Sequence, residues 1–252
     1  MTIQYLHGSG HVNLAYVYRV PTGNAANLPA VMFLGGFCSD MSGTKATYLE
    51  ERCAARGQKF VRFDYSGHGE SDGAFADGTI GSWARDAMDI LDRVVTGKVV
   101  LVGSSMGGWI ALRLLLARPD RVAGVVGIAA APDFTKDIEA LMTEAQKKSI
   151  AAEGFFEVPN DYGPEPYVFT RHLLEDGRAQ CVLGNVHPLS VPLTLVQGKM
   201  DMDVPWKKAL AIEGAFPGAA TKVIFVEDGD HRLSRPEDLA LIDREVMAVS
   251  GL

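Results

Sequence analysis

A serine flanked by glycines two positions away, Gly103-x-Ser105-x-Gly107, is the first feature of the sequence that could carry chemistry. It follows an apolar run at 99–102, typical of a buried parallel strand, and precedes a segment at 110–117 that predicts a helix. Such a sharp turn strains its middle residue, needs small neighbours, and exposes the serine hydroxyl near the first N–H groups of the helix. The pattern predicts a nucleophilic serine. The alternative is a glycine-rich turn without chemistry.

A serine hydroxyl needs a base that takes its proton, and that base needs an acid that orients it. His231 follows the last predicted strand, 223–226, whereas the other five histidines lie in predicted loops or in the inserted segment described below. In folds that place a nucleophilic serine on such a strand-to-helix turn, the acid follows a later strand of the sheet and the histidine follows the last strand. We therefore predict Ser105 as the nucleophile and His231 as the base.

Two acids compete for the orienting position, because Asp201 and Asp203 both follow the predicted strand at 193–196. Asp203 lies two residues before Pro205 and suits the electropositive first turn of a helix that would open there. Asp201 lies closer to the end of the strand and is free to reach His231, so we predict Asp201. The pair could also be a solvated or capping pair. A metal site is not expected, since no histidine or third acid stands at ligand spacing.

Acyl transfer also needs N–H donors for the oxyanion that develops at the carbonyl. One predicted donor is the N–H of Met106, which follows the serine. The second is the N–H of Phe37, in a loop after the strand at 30–34 where Gly36 permits close approach of the backbone. Cys38 is expected to be a small buried residue without a role.

Two further features are interpreted as structural. Gly67-x-Gly69 lacks the third glycine and the following helix of a phosphate-binding loop, and so predicts a tight turn. Trp109 and Trp206 could line a pocket but are expected to belong to the core.

These residues must be positioned by a core of alternating strands and helices, which predicts a mostly parallel sheet with helices on both faces. A hairpin of 3–6 with 14–20 and a loop at 21–29 precede it. Predicted strands lie at 30–34, 60–63, 99–102, 122–129, 193–196 and 223–226, and predicted helices at 44–56, 80–95 and 110–117, from 205 and from 236.

The alternation breaks after residue 132 and resumes at 191. Between them lie one predicted amphipathic helix, about 136–152, and an aromatic-rich segment, 155–169. We therefore predict an α/β core formed by 1–132 and 190–252, with 133–189 inserted as a cap over it.

The composition is that of a soluble globular protein, with 47% hydrophobic and 22% charged residues among 252. The net charge of −7 and the absence of a basic run argue against nucleic acid or an anionic membrane as a partner. The three cysteines are widely spaced and predict reduced thiols. The first residues lack the pattern of a signal peptide, and no apolar run is long enough to span a bilayer. We expect a cytoplasmic protein.

With Ser105, Asp201 and His231 in this order, the chain resembles the α/β-hydrolase superfamily over nearly its whole length. Within it, the chain is most similar to the mitochondrial palmitoyl-protein thioesterase and acyl-glucuronide esterase branch of the abhydrolase-domain group. The segments that carry this resemblance are Phe63-Asp64-Tyr65-Ser66-Gly67, Ser71-Asp72-Gly73, Val102-Gly103-Ser104-Ser105, Gly107-Gly108-Trp109, Ala117-Arg118-Pro119, Val204-Pro205-Trp206 and Asp230-His231-Arg232.

The resemblance implies hydrolysis of esters or thioesters without a cofactor, with the triad on Ser105, Asp201 and His231. The Gly198-x-x-Asp201 spacing favours Asp201. The chain departs from that branch in its cap and in lacking a transit peptide, which indicates a bacterial-type relative.

We expect a small-molecule or acyl-protein substrate, no metal, and a monomer or homodimer. Carbon–carbon or amide cleavage on the same triad, and a non-catalytic ligand-binding module, remain as alternatives.

Overall fold

The computed structural model describes residues 2–20, 28–160 and 163–252. Its strands are β1 (Gln4–His7), β2 (Asn13–Arg19), β3 (Ala30–Leu34), β4 (Phe60–Phe63), β5 (Val99–Ser104), β6 (Val122–Ile128), β7 (Phe155–Val158), β8 (Tyr167–Thr170), β9 (Leu193–Gly198) and β10 (Thr221–Val226). Eight of them form one sheet in the order β1-β2-β4-β3-β5-β6-β9-β10. The pairs β1–β2 and β2–β4 are antiparallel and the others are parallel, which confirms the predicted mostly parallel sheet.

Helices cover both faces of this sheet. They are α1 (Thr44–Ala55), α2 (Ile80–Arg93), α3 (Met106–Ala117), α4 (Phe134–Leu141), α5 (Glu144–Ala152), α6 (Arg171–Gln180), α7 (Lys207–Ala215) and α8 (Pro236–Val249). Helices α1 and α8 pack on one face, and α2, α3 and α7 pack on the other. In β5, Leu101 points into one of these layers while Val100 and Val102 point into the other. This explains why the strand is apolar at every position.

The inserted segment differs from its predicted structure. The single helix expected over 136–152 is two helices, α4 and α5, because a new helix begins after Thr143. Thr143 Oγ1 accepts the N–H of Gln146, and the Gln146 side chain accepts the N–H of Thr143. These two bonds form a capping box, which favours a helix start at this position.

The aromatic segment and the residues after it also contain more structure than predicted. Strands β7 and β8 form an antiparallel hairpin, with Phe156 opposite Phe169. Helix α6 follows directly, and its start is capped by Thr170 Oγ1, which accepts the N–H of Leu173. Neither the hairpin nor α6 was predicted.

One residue links the start of the predicted inserted segment to residues near its end. Asp133 lies just after β6 with a φ of 60°, and its carboxylate accepts the N–H groups of Val182 and Leu183. Trp109 of α3 is buried, as predicted, and its indole N–H donates to the carbonyl of Gln180, 3.1 Å away. The division into a core and a cap at 133–189 stays a prediction.

Other boundaries shift by a few residues. Helix α3 begins at Met106 rather than at 110, and α7 begins at Lys207 rather than at 205. The predicted loop at 21–29 lies largely outside the described residues. Each helix in the described part of the chain is too short or too polar to traverse a lipid bilayer.

Candidate active site

Ser105 occupies the turn between β5 and α3 with a φ of 53° and a ψ of −118°. A non-glycine residue in such a conformation costs on the order of 1–3 kcal/mol and persists only where its surroundings hold it. Its N–H donates to the carbonyl of Ile128 at 2.9 Å, and its carbonyl accepts the N–H groups of Gly108 at 2.9 Å and Ala131 at 3.0 Å. Three backbone bonds therefore hold the strained turn.

The two glycines around Ser105 are required because a side chain at either position would clash with the backbone. A Cβ on Gly103 would lie 2.3 Å from the carbonyl oxygen of Gly107, and a Cβ on Gly107 would lie 2.1 Å from that of Leu34. Neither distance is sterically possible without a shift of the backbone. The sharp turn that the sequence predicts is therefore present.

His231 lies in the loop after β10, and its Nδ1 lies 2.9 Å from Oδ2 of Asp201. Asp201 is buried, and three further donors hold its carboxylate. Oδ1 accepts the N–H groups of Asp203 at 2.9 Å and Val204 at 2.8 Å, while Oδ2 accepts Nε2 of Gln197 at 2.9 Å. The carboxylate is thus fixed in the orientation in which it meets the imidazole. Sequence reasoning missed Gln197, although a glutamine in an apolar strand was a visible signal.

Asp203 lies differently from Asp201. It is exposed, and its N–H donates to Asp201. The helix-capping position proposed for it is not observed, because α7 begins after Trp206 without a side-chain cap.

The expectation about metal spacing needs a correction. Folding brings ligand atoms of Asp201, Asp203 and His231 within 4.8 Å of one another, so a histidine does join the acidic pair. However, both oxygens of Asp201 already accept N–H groups, which a cation would have to displace. The arrangement suits the orientation of an imidazole better than it suits a metal ion.

One cavity of about 850 Å³ brings most of the predicted site residues together: Ser105, His231, Met106, Gly36 and Phe37 all line it. A Cβ on Gly36 would lie 3.5 Å from Cβ of Ser105, so the loop of the predicted oxyanion donor Phe37 runs beside the serine. Asp201 lies behind His231, outside the lining.

Much of the cavity wall that the inserted segment forms is apolar, although Asp137, Gln146 and Asn160 also line it. Phe37 stacks in parallel on Phe169 of β8 with the ring centroids 5.3 Å apart, and it also contacts Phe75 edge-on at 4.9 Å. Further apolar side chains come from the inserted segment: Phe134, Ile138, Leu141, Met142, Phe156, Val158 and Tyr167. This surface can hold an apolar group of a substrate.

Several residues near the site differ from their expected state. Cys38 is exposed rather than buried, and its backbone is left-handed with a φ of 55°. His7 ends β1 rather than lying in a loop. The Gly67-x-Gly69 segment is the predicted tight turn, and it contains a buried histidine, His68. Burial lowers the pKa of His68, whose Nδ1 lies 3.2 Å from the carbonyl of Ser66.

The fold and the serine turn together define a class. A family model for the alpha/beta hydrolase family matches residues 6–240, and the chain belongs to this family. The resemblance found in the sequence is therefore confirmed.

Two proteins are similar to this chain over nearly its whole length. The chain is 36% identical over 243 residues to the mitochondrial palmitoyl-protein thioesterase ABHD10 of Mus musculus, covering 96% of this chain and 80% of that protein. The solved structure of alpha/beta hydrolase domain-containing protein 10 from mouse superimposes with a TM-score of 0.89 and 34% identity, over 99% of this chain and 98% of that one. A crystal structure from Agrobacterium vitis S4 superimposes with a TM-score of 0.93 and 42% identity, over 99% of this chain and 100% of that one.

Proposed function

We propose that this chain is a serine hydrolase that cleaves carboxylic esters or thioesters through an acyl-enzyme on Ser105. One observation carries the proposal: His231 is hydrogen-bonded to a buried, fully held Asp201 and lines the same cavity as Ser105 in its strained turn. Similarity to a palmitoyl-protein thioesterase supports the same class of reaction.

The first half of the reaction forms the acyl-enzyme. Ser105 Oγ attacks the carbonyl carbon of the substrate while His231 Nε2 takes the hydroxyl proton, since Nδ1 is held by Asp201. The carbonyl oxygen becomes negative and is stabilised by the N–H groups of Phe37 and Met106. The tetrahedral intermediate then collapses, the bond to the leaving oxygen or sulfur breaks, and the proton on His231 passes to the leaving group.

The second half releases the acid. A water molecule gives a proton to His231 and attacks the acyl carbon, the same two N–H groups stabilise the oxyanion, and Ser105 recovers its proton as the acyl group leaves. This sequence needs no metal and no cofactor.

The shape of the cavity supports a substrate with an apolar acyl group. Its volume of about 850 Å³ and the aromatic wall from the inserted segment suit an acyl chain, which gains roughly 0.8 kcal/mol for each buried CH₂. We propose that the acyl group lies against Phe169 and its neighbours, and that the leaving group, small or carried by a protein, lies near His231.

The test combines covalent labelling with a substrate panel. A fluorophosphonate should label the wild-type protein and not Ser105→Ala, and the panel should show cleavage of p-nitrophenyl esters and acyl thioesters ahead of amides and diketones. Ser9→Ala, which loses an exposed hydrogen bond to Asp89, is the matched control and should behave as the wild type. A Ser105→Ala protein that hydrolyses these esters at the parental rate would reject the proposal.

We also propose a reducing compartment such as the cytoplasm, and a monomer or homodimer. The first is supported by Cys38, Cys53 and Cys181, which are all free thiols. Light scattering after gel filtration will decide the oligomeric state.

A further inference from the structure

A bidentate ion pair closes the base of the loop that carries His231, residues 227–235. Nη1 of Arg235 lies 2.6 Å from Oδ2 of Asp228, and Nη2 lies 3.1 Å from Oδ1. Within the loop, Leu233 is buried with a φ of 44°, and its N–H donates to Oδ1 of Asp230. A left-handed leucine is strained, so the path of the backbone next to His231 depends on the contacts that hold it.

A second contact reaches this loop from a different part of the chain. Lys45, in the first turn of α1, donates from Nζ to the carbonyl of Arg232 at 2.5 Å and lies 3.4 Å from Oγ of Ser234. Ser234 Oγ donates to the same carbonyl at 3.0 Å. Arg232 follows His231 directly, so Lys45 holds the carbonyl of the residue next to the one that bears the imidazole.

Lys45 keeps this contact at a cost in stability. It is half-buried in the wall of the cavity, and burial lowers its pKa to about 8, since an ammonium loses hydration there. A neutral apolar residue of the same length would avoid that cost. What the lysine supplies is a donor at the Arg232 carbonyl.

We propose that Lys45 is a positioning residue for the hydrolysis: by donating to the Arg232 carbonyl, it holds His231 against Asp201 and in reach of Ser105. This inference rests on the proposed function. In this role Lys45 acts through His231 rather than on the substrate.

Lys45→Met tests the inference, because it keeps the length of the side chain and removes the donor. On p-nitrophenyl butyrate, which is uncharged, kcat should fall about tenfold to hundredfold while KM changes less than about twofold, since a displaced base loses transition-state stabilisation and not ground-state binding. The rate of fluorophosphonate labelling should fall in parallel. Lys45→Arg, which keeps a donor, should recover part of both rates.

The matched control is Lys98→Met. Lys98 Nζ also donates to a backbone carbonyl, that of Asp120 at 2.5 Å, but it precedes β5 at the opposite end of the strand from Ser105. This variant should keep the parental kcat and labelling rate. If Lys45→Met fails to fold, Lys45→Leu, which also lacks a donor, takes its place in the comparison with Lys45→Arg.

Two results would overturn the inference: an unchanged kcat in folded Lys45→Met, or a raised KM with an unchanged kcat, which would place Lys45 on the substrate instead. Failure of the proposed function looks different, because Ser105→Ala would then hydrolyse esters as fast as the wild type. Loss of activity in Ser105→Ala combined with full activity in Lys45→Met rejects only the role of Lys45.

Discussion

The carboxylate of Asp133 accepts the N–H of Val182 at 2.8 Å and thereby joins residues 49 positions apart in the chain. Its other oxygen accepts the N–H of Leu183 at 3.0 Å. Asp133 is buried with a φ of 60°, and the predicted cap begins with it, just before α4. A single carboxylate thus links the start of the predicted cap to residues near its end.

Asp133→Ala should therefore loosen the cap. Two N–H groups lose their acceptors; that of Val182 is buried, and an unsatisfied buried donor costs about 1–3 kcal/mol. Urea unfolding should show a loss in this range, and limited proteolysis should cut within 133–189 earlier than in the wild type. Glu144→Ala is the control, since its ion pair with Lys147 is on the surface and should contribute less than about 1 kcal/mol. Equal losses of unfolding free energy in both variants would show that the Asp133 hydrogen bonds contribute no more than a surface ion pair.

Asp201→Asn should nearly abolish turnover while the protein stays folded. An amide facing Nδ1 of His231 favours the wrong tautomer, and such a change lowers kcat roughly 10³- to 10⁴-fold in other serine triads. Steady-state kinetics on an ester measures the effect. Asp203→Asn should change kcat only a few-fold, and a larger loss there than in Asp201→Asn would move the orienting role to Asp203.

Gly107→Ala and Gly214→Ala should change stability in opposite directions. A methyl group on Gly107 would lie 2.1 Å from the carbonyl of Leu34, so the turn must move, and we expect a loss of about 3 kcal/mol or more together with the loss of esterase activity. Nothing lies within 4 Å of the corresponding position on Gly214 in α7, where alanine favours the helix by up to about 1 kcal/mol. Thermal unfolding separates the two. A stable, active Gly107→Ala would contradict the steric argument.

The stability of the protein should depend on His68 below neutral pH. Burial lowers its pKa in the folded state below the unfolded value near 6.5, so between these two values the unfolded chain binds more protons. Its contribution is complete above about pH 6.5 and is lost as the pH falls toward the folded pKa.

His68→Leu should be less sensitive over this range. The Ser66 carbonyl still accepts the indole N–H of Trp83, so the substitution leaves no orphaned acceptor. The difference in unfolding free energy between wild type and variant, measured from pH 7.5 to 5, should move in favour of the variant as the pH falls. A constant difference would show that His68 does not titrate as burial implies.

The core and the serine turn could be predicted because their rules are local. Strands such as β5 are apolar on both faces, and Ser105 needs glycines two positions away whatever the rest of the chain does. The order of Ser105, Asp201 and His231 is also readable, since the carboxyl ends of parallel strands meet at one edge of the sheet.

The inserted segment could be predicted less well. The apolar periodicity runs through Met142, but the Thr143-x-x-Gln146 spacing of a capping box was present and would have separated α4 from α5. Strands β7 and β8 are four residues each, too short for a clear alternation. Contacts of Asp133 and Lys45 join distant parts of the chain and leave no local pattern.

The junction at Asp133 has a practical consequence. Because Asp133 links the start of the predicted cap to residues near its end, a graft that replaces residues 134–181 with the corresponding segment of a relative leaves the sequence of the strand ends that hold Ser105, Asp201 and His231 unchanged. Phe169 stacks on Phe37, so the graft has to keep an aromatic residue at that position. With that contact kept, selectivity can be engineered in the graft and reactivity in the sheet.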